Sequence, residues 1–306
     1  MQVLEIKNLK KRFGTKQVLR GVELTVKEHS IYGFIGRNGA GKTTTMKTVV
    51  GLLKPDQGEI FVCQEPVRYG NSSTNRQVGF LPDVPEYYSF MSPEEYLELC
   101  GKITGMDPRR IRERSQELLK TTGLWEDRKR RISGFSRGMK QRLGIAQALL
   151  HKPRLLICDE PTSALDPAGR KEILDILFQV GKEAAVLFST HILADVERIC
   201  DEIAVLDQGK IVLSGKLEDI RESYTPDCIK VEFHTPQDLQ KFLGDAKNIQ
   251  VRRTGVKEAE VTGKDGESRG QIQKRLYACL LEHPLEIQRI EVPEPSLENL
   301  FLEVIR

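Results

Sequence analysis

Residues 31–51 read IYGFIGRNGAGKTTTMKTVVG: a short apolar run, a glycine-rich turn, then a segment that closes on Gly51. The run Ile31–Ile35 predicts a buried strand, and Thr43–Val50 predicts a helix ended by that glycine. Between them, Gly36-Arg37-Asn38-Gly39-Ala40-Gly41-Lys42-Thr43 satisfies G-x-x-x-x-G-K-[ST] at every fixed position. Glycines let the backbone curl tightly enough for successive N–H groups to point at phosphate oxygens. The helix N-terminus adds the positive end of its dipole. Lys42 is then the cation for the outer phosphates, and the Thr43 hydroxyl a Mg²⁺ ligand. A glycine-rich turn can match this pattern by chance; the flanking strand and helix argue for a phosphate-binding loop.

A second stretch, SGFSRGMKQRLGIAQALLHKPRLLICDEPTSALD at 133–166, supplies what such a loop needs. Leu155–Cys158 predicts a buried strand running into Asp159 and Glu160. Successive strand side chains point to opposite sides, so the two acids are expected to divide the work. Asp159 would hold the Mg²⁺ shell, and Glu160 would serve as general base or orient the attacking water. The plainer reading is an acidic strand end that caps the next turn. Upstream, Met139, Leu143, Ala146 and Leu150 form an apolar stripe at helical spacing, leaving the helix start near Ser136 free to face an anion. Ser136 alone is an ordinary N-cap. Asp166-Pro167 likewise reads as N-cap and N1 of a helix over 167–180.

The rest of the chain frames these two stretches. Its 306 residues suggest one large domain and a smaller one. A formal charge of +3 implies no strong nucleic-acid field. The six cysteines are scattered without a C-x-x-C pair, against a disulfide framework or zinc site and in favour of a reducing cytosol. No apolar run reaches the length of a membrane span, and the N-terminus lacks the apolar core of a signal peptide. Residues 2–30 predict short antiparallel strands around turns at 13–15 and Arg20-Gly21. Strands follow at 59–62 and 78–81, either side of a polar loop at 70–75. Ser92, Pro93 and Glu95 form a capping box that opens an α-rich insertion over 91–150. Strands and helices then alternate to residue 206, as in a mostly parallel sheet. The tail reads as strand 229–234, helix 236–243, strands 248–253 and 255–261, helix 268–282, strand 286–292 and helix 296–305. Its first six elements have the β-α-β-β-α-β order of a ferredoxin-like unit, read here as a dimerisation or packing domain.

Taken in order, the loop at 36–43, FSRGMKQR at 135–142, ICDEP at 157–161, SALD at 163–166 and STH at 189–191 resemble the ABC-type ATPases over residues 1–220. The resemblance implies an α/β phosphate-loop (P-loop) NTPase of ABC type: a mixed sheet with an antiparallel β layer and a helical insertion, followed by an accessory α+β domain at 221–306. It implies ATP and Mg²⁺ as cofactors, with Gly36, Asn38, Gly39, Ala40, Gly41, Lys42, Thr43 and Thr44 around the phosphates. Ser136, Gly138 and Asp166 would serve a nucleotide held by a second copy of the chain or a homologous subunit. His191 resembles the switch histidine that contacts the γ-phosphate, although a lone His is more often structural. Phe13 matches the aromatic that stacks on adenine; a strand-core aromatic is the even alternative.

Three features depart from the family pattern, two of them at single charged positions and the third an aromatic segment. Arg137 stands where many members have glycine, and its guanidinium could reach a phosphate or face solvent. Asp83 replaces the usual glutamine, with a shorter reach toward Mg²⁺. The segment Tyr87-Tyr88-Phe90-Met91 corresponds to a region that meets the membrane partner, or else packs the insertion. The basic runs 109–114 and 128–131 read first as solvated faces, second as contacts for anionic headgroups. The segments GFIGRNGAGKTTTMK, DEPTSALDPAGR and EPSLENLFLEVI (294–305) resemble the exporter branch with ABC-2-type multi-span permeases, including bacitracin- and multidrug-export ATPases. That places the chain in the cytoplasm, peripheral on the inner face of the membrane through its permease, with no nucleic acid expected. The alternative is a soluble ABC ATPase acting on ribosomes or DNA, whose usual double nucleotide unit or long coiled coil is not seen in this sequence.

Overall fold

The strand Ile31–Ile35 is buried along its whole length, which requires cover on both faces, and the fold is built around that cover. The computed structural model describes residues 1–71, 73–223, 228–246, 249–263, 267–282, 285–293 and 297–304. They fall into two compact units, Met1–Glu218 and Asp219–Glu303. In chain order the first unit has β1 (Gln2–Phe13), β2 (Lys16–Lys27), β3 (Ile31–Ile35), α1 (Lys42–Val49), β4 (Gln57–Val62), β5 (Glu65–Pro66), β6 (Val78–Leu81), α2 (Pro93–Ile103), α3 (Pro108–Thr121), α4 (Arg137–Leu149), β7 (Leu155–Asp159), α5 (Pro167–Gly181), β8 (Ala185–Thr190), α6 (Leu193–Ile199), β9 (Glu202–Asp207) and β10 (Lys210–Lys216), and the boundary falls within α7 (Leu217–Ser223).

A six-stranded sheet in the order β10-β9-β3-β8-β7-β6 forms the middle layer. Every pairing from β9 to β6 is parallel, and only β10 runs antiparallel. A separate antiparallel sheet, β2-β1-β4-β5, covers one face together with α1. The alternation is legible residue by residue: Tyr32 and Phe34, Leu155 and Ile157, Ala185 and Leu187, and Ala204 and Leu206 all join the core beneath that layer. The opposite face carries the helices at close range. A Cβ at Gly79 would meet the Ala148 carbonyl of α4 at 2.3 Å, so only glycine lets β6 and α4 pack this tightly.

The expected turn at Arg20-Gly21 is not a turn. β2 runs straight through it, and the β1–β2 register shifts nearby. Asn8 and Gly21 both take positive φ, 46° and 99°, so bulges in a long hairpin absorb the glycine. Two 12-residue strands replace the several short ones expected.

The second unit contains β11 (Cys228–Phe233), α8 (Pro236–Asp245), β12 (Gln250–Arg253), β13 (Glu258–Thr262), α9 (Arg269–Glu282), β14 (Ile287–Glu291) and α10 (Leu297–Val304). Its sheet order, β12-β13-β11-β14, is fully antiparallel, and with the element order it makes the unit ferredoxin-like. Ile229, Val231 and Phe233 of β11 pack on Leu239 and Phe242 of α8 and on Ile272 and Leu276 of α9. Across the strands, Arg252, Glu260, Lys230 and Glu291 sit side by side in register, a row of alternating charge. The ends expected for the last helix, 296 and 305, and residue 248 of the expected strand lie outside the described residues, as do 294–296 of the EPSLENLFLEVI segment. Among the described residues no helix is long and apolar enough to cross a membrane.

One half-buried histidine gives this fold a pH signature. His151, just past α4, has Nε2 3.1 Å from the Val78 carbonyl oxygen of β6. Burial pushes its imidazole below the ordinary value, outweighing backbone hydrogen bonds that raise it. A histidine depressed in the folded state contributes stability above its unfolded pKa of about 6.5, and that contribution is lost as pH falls toward the folded value. Urea midpoints should therefore drop between pH 7.5 and 5.5, before carboxylates titrate, and His151→Gln should flatten that drop. An equal drop in the variant would remove His151 as its source.

Candidate functional site

Parallel strands deliver their C-terminal ends to one edge of a sheet, and loops at that edge form sites in open α/β folds. Here the edge order β3, β8, β7, β6 sets four sequence segments in a row: the loop at 36–41, His191, Asp159-Glu160 and Asp83. The backbone of the loop is special. Gly39 and Gly41 have φ of 82° and 117°, values that an L side chain rarely adopts. A Cβ at Gly36 would collide with the Leu206 carbonyl at 2.5 Å. Arg37, Asn38 and Gly39 are exposed at the turn, and α1 begins at Lys42 with no side-chain cap. Its first N–H groups are thus left for a ligand.

Lys42 is buried, and its Nζ donates to the Gly36 carbonyl at 2.6 Å. The same Nζ lies 3.1 Å from Glu160 Oε1. His191 Nδ1 is 2.9 Å from Glu160 Oε2. A carboxylate only accepts, so the proton sits on Nδ1. Ser189, two residues earlier, donates to Asp159 Oδ1 at 2.7 Å and accepts the Glu160 N–H at 2.9 Å. One serine therefore fixes both acids. Thr43 is exposed and Thr44 half-buried at the start of α1.

The pleat argument for separating Asp159 from Glu160 needs correction. β7 ends at Asp159, and Glu160 sits beyond it at φ 48°. A left-handed turn, not strand alternation, sends the two carboxylates apart. Positive φ at a non-glycine residue is strained and tends to persist where function holds it.

A second buried carboxylate went unread in the sequence. Asp195 of α6 is 2% exposed, accepts from Thr162 Oγ1 at 2.7 Å and pairs with Arg170 Nη2 at 2.6 Å. It ties together the loop after Glu160, the helix that opens at Asp166, and the helix after His191. The spacing from His191 to Asp195 was the available signal, one helical turn, but nothing local names its partners.

The remaining expected residues are placed as follows. Asp166 caps α5 by accepting the Gly169 N–H, with Pro167 at N1. Ser136 caps α4 by accepting the Met139 N–H at 3.2 Å, and both Ser136 and Arg137 are exposed. A Cβ at Gly138 would come no closer than 3.7 Å to any neighbour, so its own chain does not require glycine there. Phe13 is exposed at the end of β1 with Lys11 Nζ 5.2 Å from its ring centroid, which removes the strand-core alternative. The Asp83 carboxylate accepts from Arg137 and Ser163. The aromatic segment divides: Tyr87 donates to the Lys140 carbonyl and packs edge-on against Tyr96, whereas Tyr88 and Phe90 are exposed. Much of the basic run at 128–131 has local partners, Arg128 on Trp125 and Glu94, Arg130 on Asp127.

These residues fit a nucleoside triphosphate with Mg²⁺. Lys42 brings a buried ammonium to the glycine-rich turn, and the helix that follows starts without a side-chain cap on its free N–H groups. No group of three His, Cys, Asp or Glu side chains among the described residues forms a metal site of its own, in keeping with Mg²⁺ sites completed by phosphate and water. Fold and site together define a phosphate-loop nucleotide-binding unit of the ABC type.

Comparison with known proteins agrees over the full length. The profile described as ABC transporter matches residues 19–163, and one described as the C-terminal domain of DrrA1-3-like ATP-binding proteins matches 215–305. The ABC transporter ATP-binding protein YxlF of Bacillus subtilis is 42% identical over 303 residues, 99% of either chain. The bacitracin transport ATP-binding protein BcrA of Bacillus licheniformis is 32% identical over 99% of this chain and 97% of its own. The linearmycin resistance ATP-binding protein LnrL of B. subtilis is 32% identical over 99% and 98%. Among solved structures, an ATP-binding subunit of an ABC transporter superposes with a TM-score of 0.66 at 34% identity, covering 72% of this chain and 93% of that one. The chain belongs to the family of ABC transporter ATP-binding proteins.

The Asp195 clamp yields a stability prediction. Hydrogen bonds to charged groups contribute about 1.5–3 kcal/mol, and Arg170 is only partly exposed. Asp195→Ala should lower unfolding free energy by about 2–3 kcal/mol in denaturant titration. A loss below ~0.5 kcal/mol would show that the clamp is incidental.

Proposed function

We infer that two copies of the chain, or this chain and a homologous subunit, close around two Mg-ATP and drive export through a separate ABC-2-type permease. The observation that carries the reading is the convergence of Lys42, Glu160 and His191 at one sheet edge, from three elements far apart in sequence. The loop N–H groups at 36–43, Lys42, Thr43 and Thr44 hold the phosphates, and exposed Phe13 offers its ring to adenine. Thr43 and Asp159 hold Mg²⁺, which when bound neutralises phosphate charge. Glu160 orients and deprotonates the attacking water, with His191 fixing its carboxylate. Residues 1–220 carry this chemistry, and 221–306 form the accessory domain.

Ser136, Gly138 and Asp166 serve the partner's nucleotide. The exposure of Ser136 and Asp166 supports this, and so does Gly138, whose lack of a side chain no neighbour in its own chain explains. The exposed Tyr88 and Phe90 offer an apolar contact to the permease, which supports a subunit working at the cytoplasmic face of the membrane. Relatives named for bacitracin transport and linearmycin resistance support export. Their near-complete coverage also disfavours a soluble ATPase working on ribosomes or DNA.

Glu160→Gln should reduce steady-state ATP turnover by at least ~100-fold while an ATP-dependent dimer accumulates on size-exclusion chromatography. Hydrolysis close to the wild-type rate would sink the assignment of the base. Gly138→Ala separates the dimer from the fold. Its thermal stability should be unchanged or up to ~1 kcal/mol higher, with ATP-dependent dimerisation lost. Normal dimerisation in this variant would overturn the cross-subunit role.

A further inference from the structure

The two positions at which the chain departs from the family pattern meet each other in space. Arg137 Nη2 lies 3.3 Å from Asp83 Oδ1 and donates to Ser163 Oγ at 3.0 Å. Ser163 in turn donates to the same Asp83 oxygen at 3.0 Å. One helical turn beyond Arg137, the buried Gln141 donates its amide N–H to the Asp83 backbone carbonyl at 2.8 Å. Three segments are thus closed into a ring: the loop after β6, the first turn of α4, and the loop that carries Glu160 to Asp166.

The ring's energetics point away from a stability role. Both charged side chains are close to half exposed, where an ion pair contributes little. A cation at the first turn of a helix also opposes the helix dipole, so nothing in α4 itself favours Arg137. The Asp83 carboxylate offsets that misplaced charge, and neither departure is well placed without the other. Asp83 Oδ1 already accepts two hydrogen bonds, so the carboxylate is oriented by the ring and only Oδ2 is left uncommitted.

We propose that Asp83 and Arg137 form one charge-paired latch, closed through Ser163, that sets the start of α4 against the Glu160 loop, and that Asp83 is a positioning residue for this latch rather than an acid of the Mg²⁺ shell. The proposal rests on the ATPase reading above. Arg137 is held beside Ser136 and Gly138, so the latch orients the segment that the partner's nucleotide meets. The same contact ties that segment to the loop on which Glu160 stands.

A double-mutant cycle tests it on the full-length chain. ATP turnover and the Mg²⁺ concentration for half-maximal activity are measured for wild type, Asp83→Asn, Arg137→Gln and the double variant. Residues in one network couple strongly, so each single change should lower kcat by about tenfold and the double change by no more than the worse single. Arg137→Lys, which keeps the charge, should recover most of the loss, and Mg²⁺ half-saturation should stay at the wild-type value in Asp83→Asn. A double variant with a roughly hundredfold loss, the product of independent effects, would overturn the latch. So would a tenfold rise in Mg²⁺ requirement confined to Asp83→Asn. If wild type binds Mg-ATP without turnover, the ATPase reading fails, and the same cycle on Mg-ATP Kd still decides the latch.

Discussion

A carboxylate held nearly out of water must be compensated by a partner of opposite charge or take up a proton. Glu160 meets that demand with Lys42 on one oxygen and His191 on the other. The ion pair constrains everything around it. It obliges the loop after β3 and the turn after β7 to open on the same side, which a parallel sheet ensures and an antiparallel one would not. Apolar strands covered on both faces keep water away from the pair. The pair also presets the ammonium of Lys42 inside the phosphate loop, already desolvated and already aimed by the Gly36 carbonyl.

Much of this architecture is written locally, and so could be read before any coordinates. The glycine spacing at 36–41, the capping box at Ser92-Glu95 and the apolar run into Asp159 each act within a few residues, where sequence and geometry are tightly linked. The β-α-β-β-α-β order of the tail was legible for the same reason. What escaped was tertiary. Asp195 finds Thr162 and Arg170 only after two helices and a loop have packed. The left-handed turn at Glu160 is imposed by Ser189 from a neighbouring strand, against the preference of an L-residue. Arg20-Gly21 looked like a turn because a bulge uses the same glycine conformation as a turn does. Asp83 and Arg137, separately, were two unexplained substitutions.

The candidate site was legible in its residue types and less so in its support. The acids, the lysine and the histidine were named by pattern, yet the aiming of Asp159 and Glu160 by Ser189, and the clamp of Thr162 and Arg170 on Asp195, were not. Pattern identifies groups that touch a ligand because their chemistry is narrow. Supporting groups need only a donor or acceptor in the right place, and many residue types supply one.

The division of the aromatic segment has a mechanical consequence. Tyr87 is bonded to the Lys140 carbonyl, and Asp83 is bonded to Arg137 and Gln141. The stretch from 83 to 87 is therefore riveted to α4 at three points along its first turn and a half. Tyr88 and Phe90 project just beyond the last rivet. A displacement applied to those two rings has a short, stiff route into the first turns of α4, and Ser136, the cap of that helix, would move with it. Torque from outside the subunit and closure over a nucleotide would then be two ends of one rigid arm.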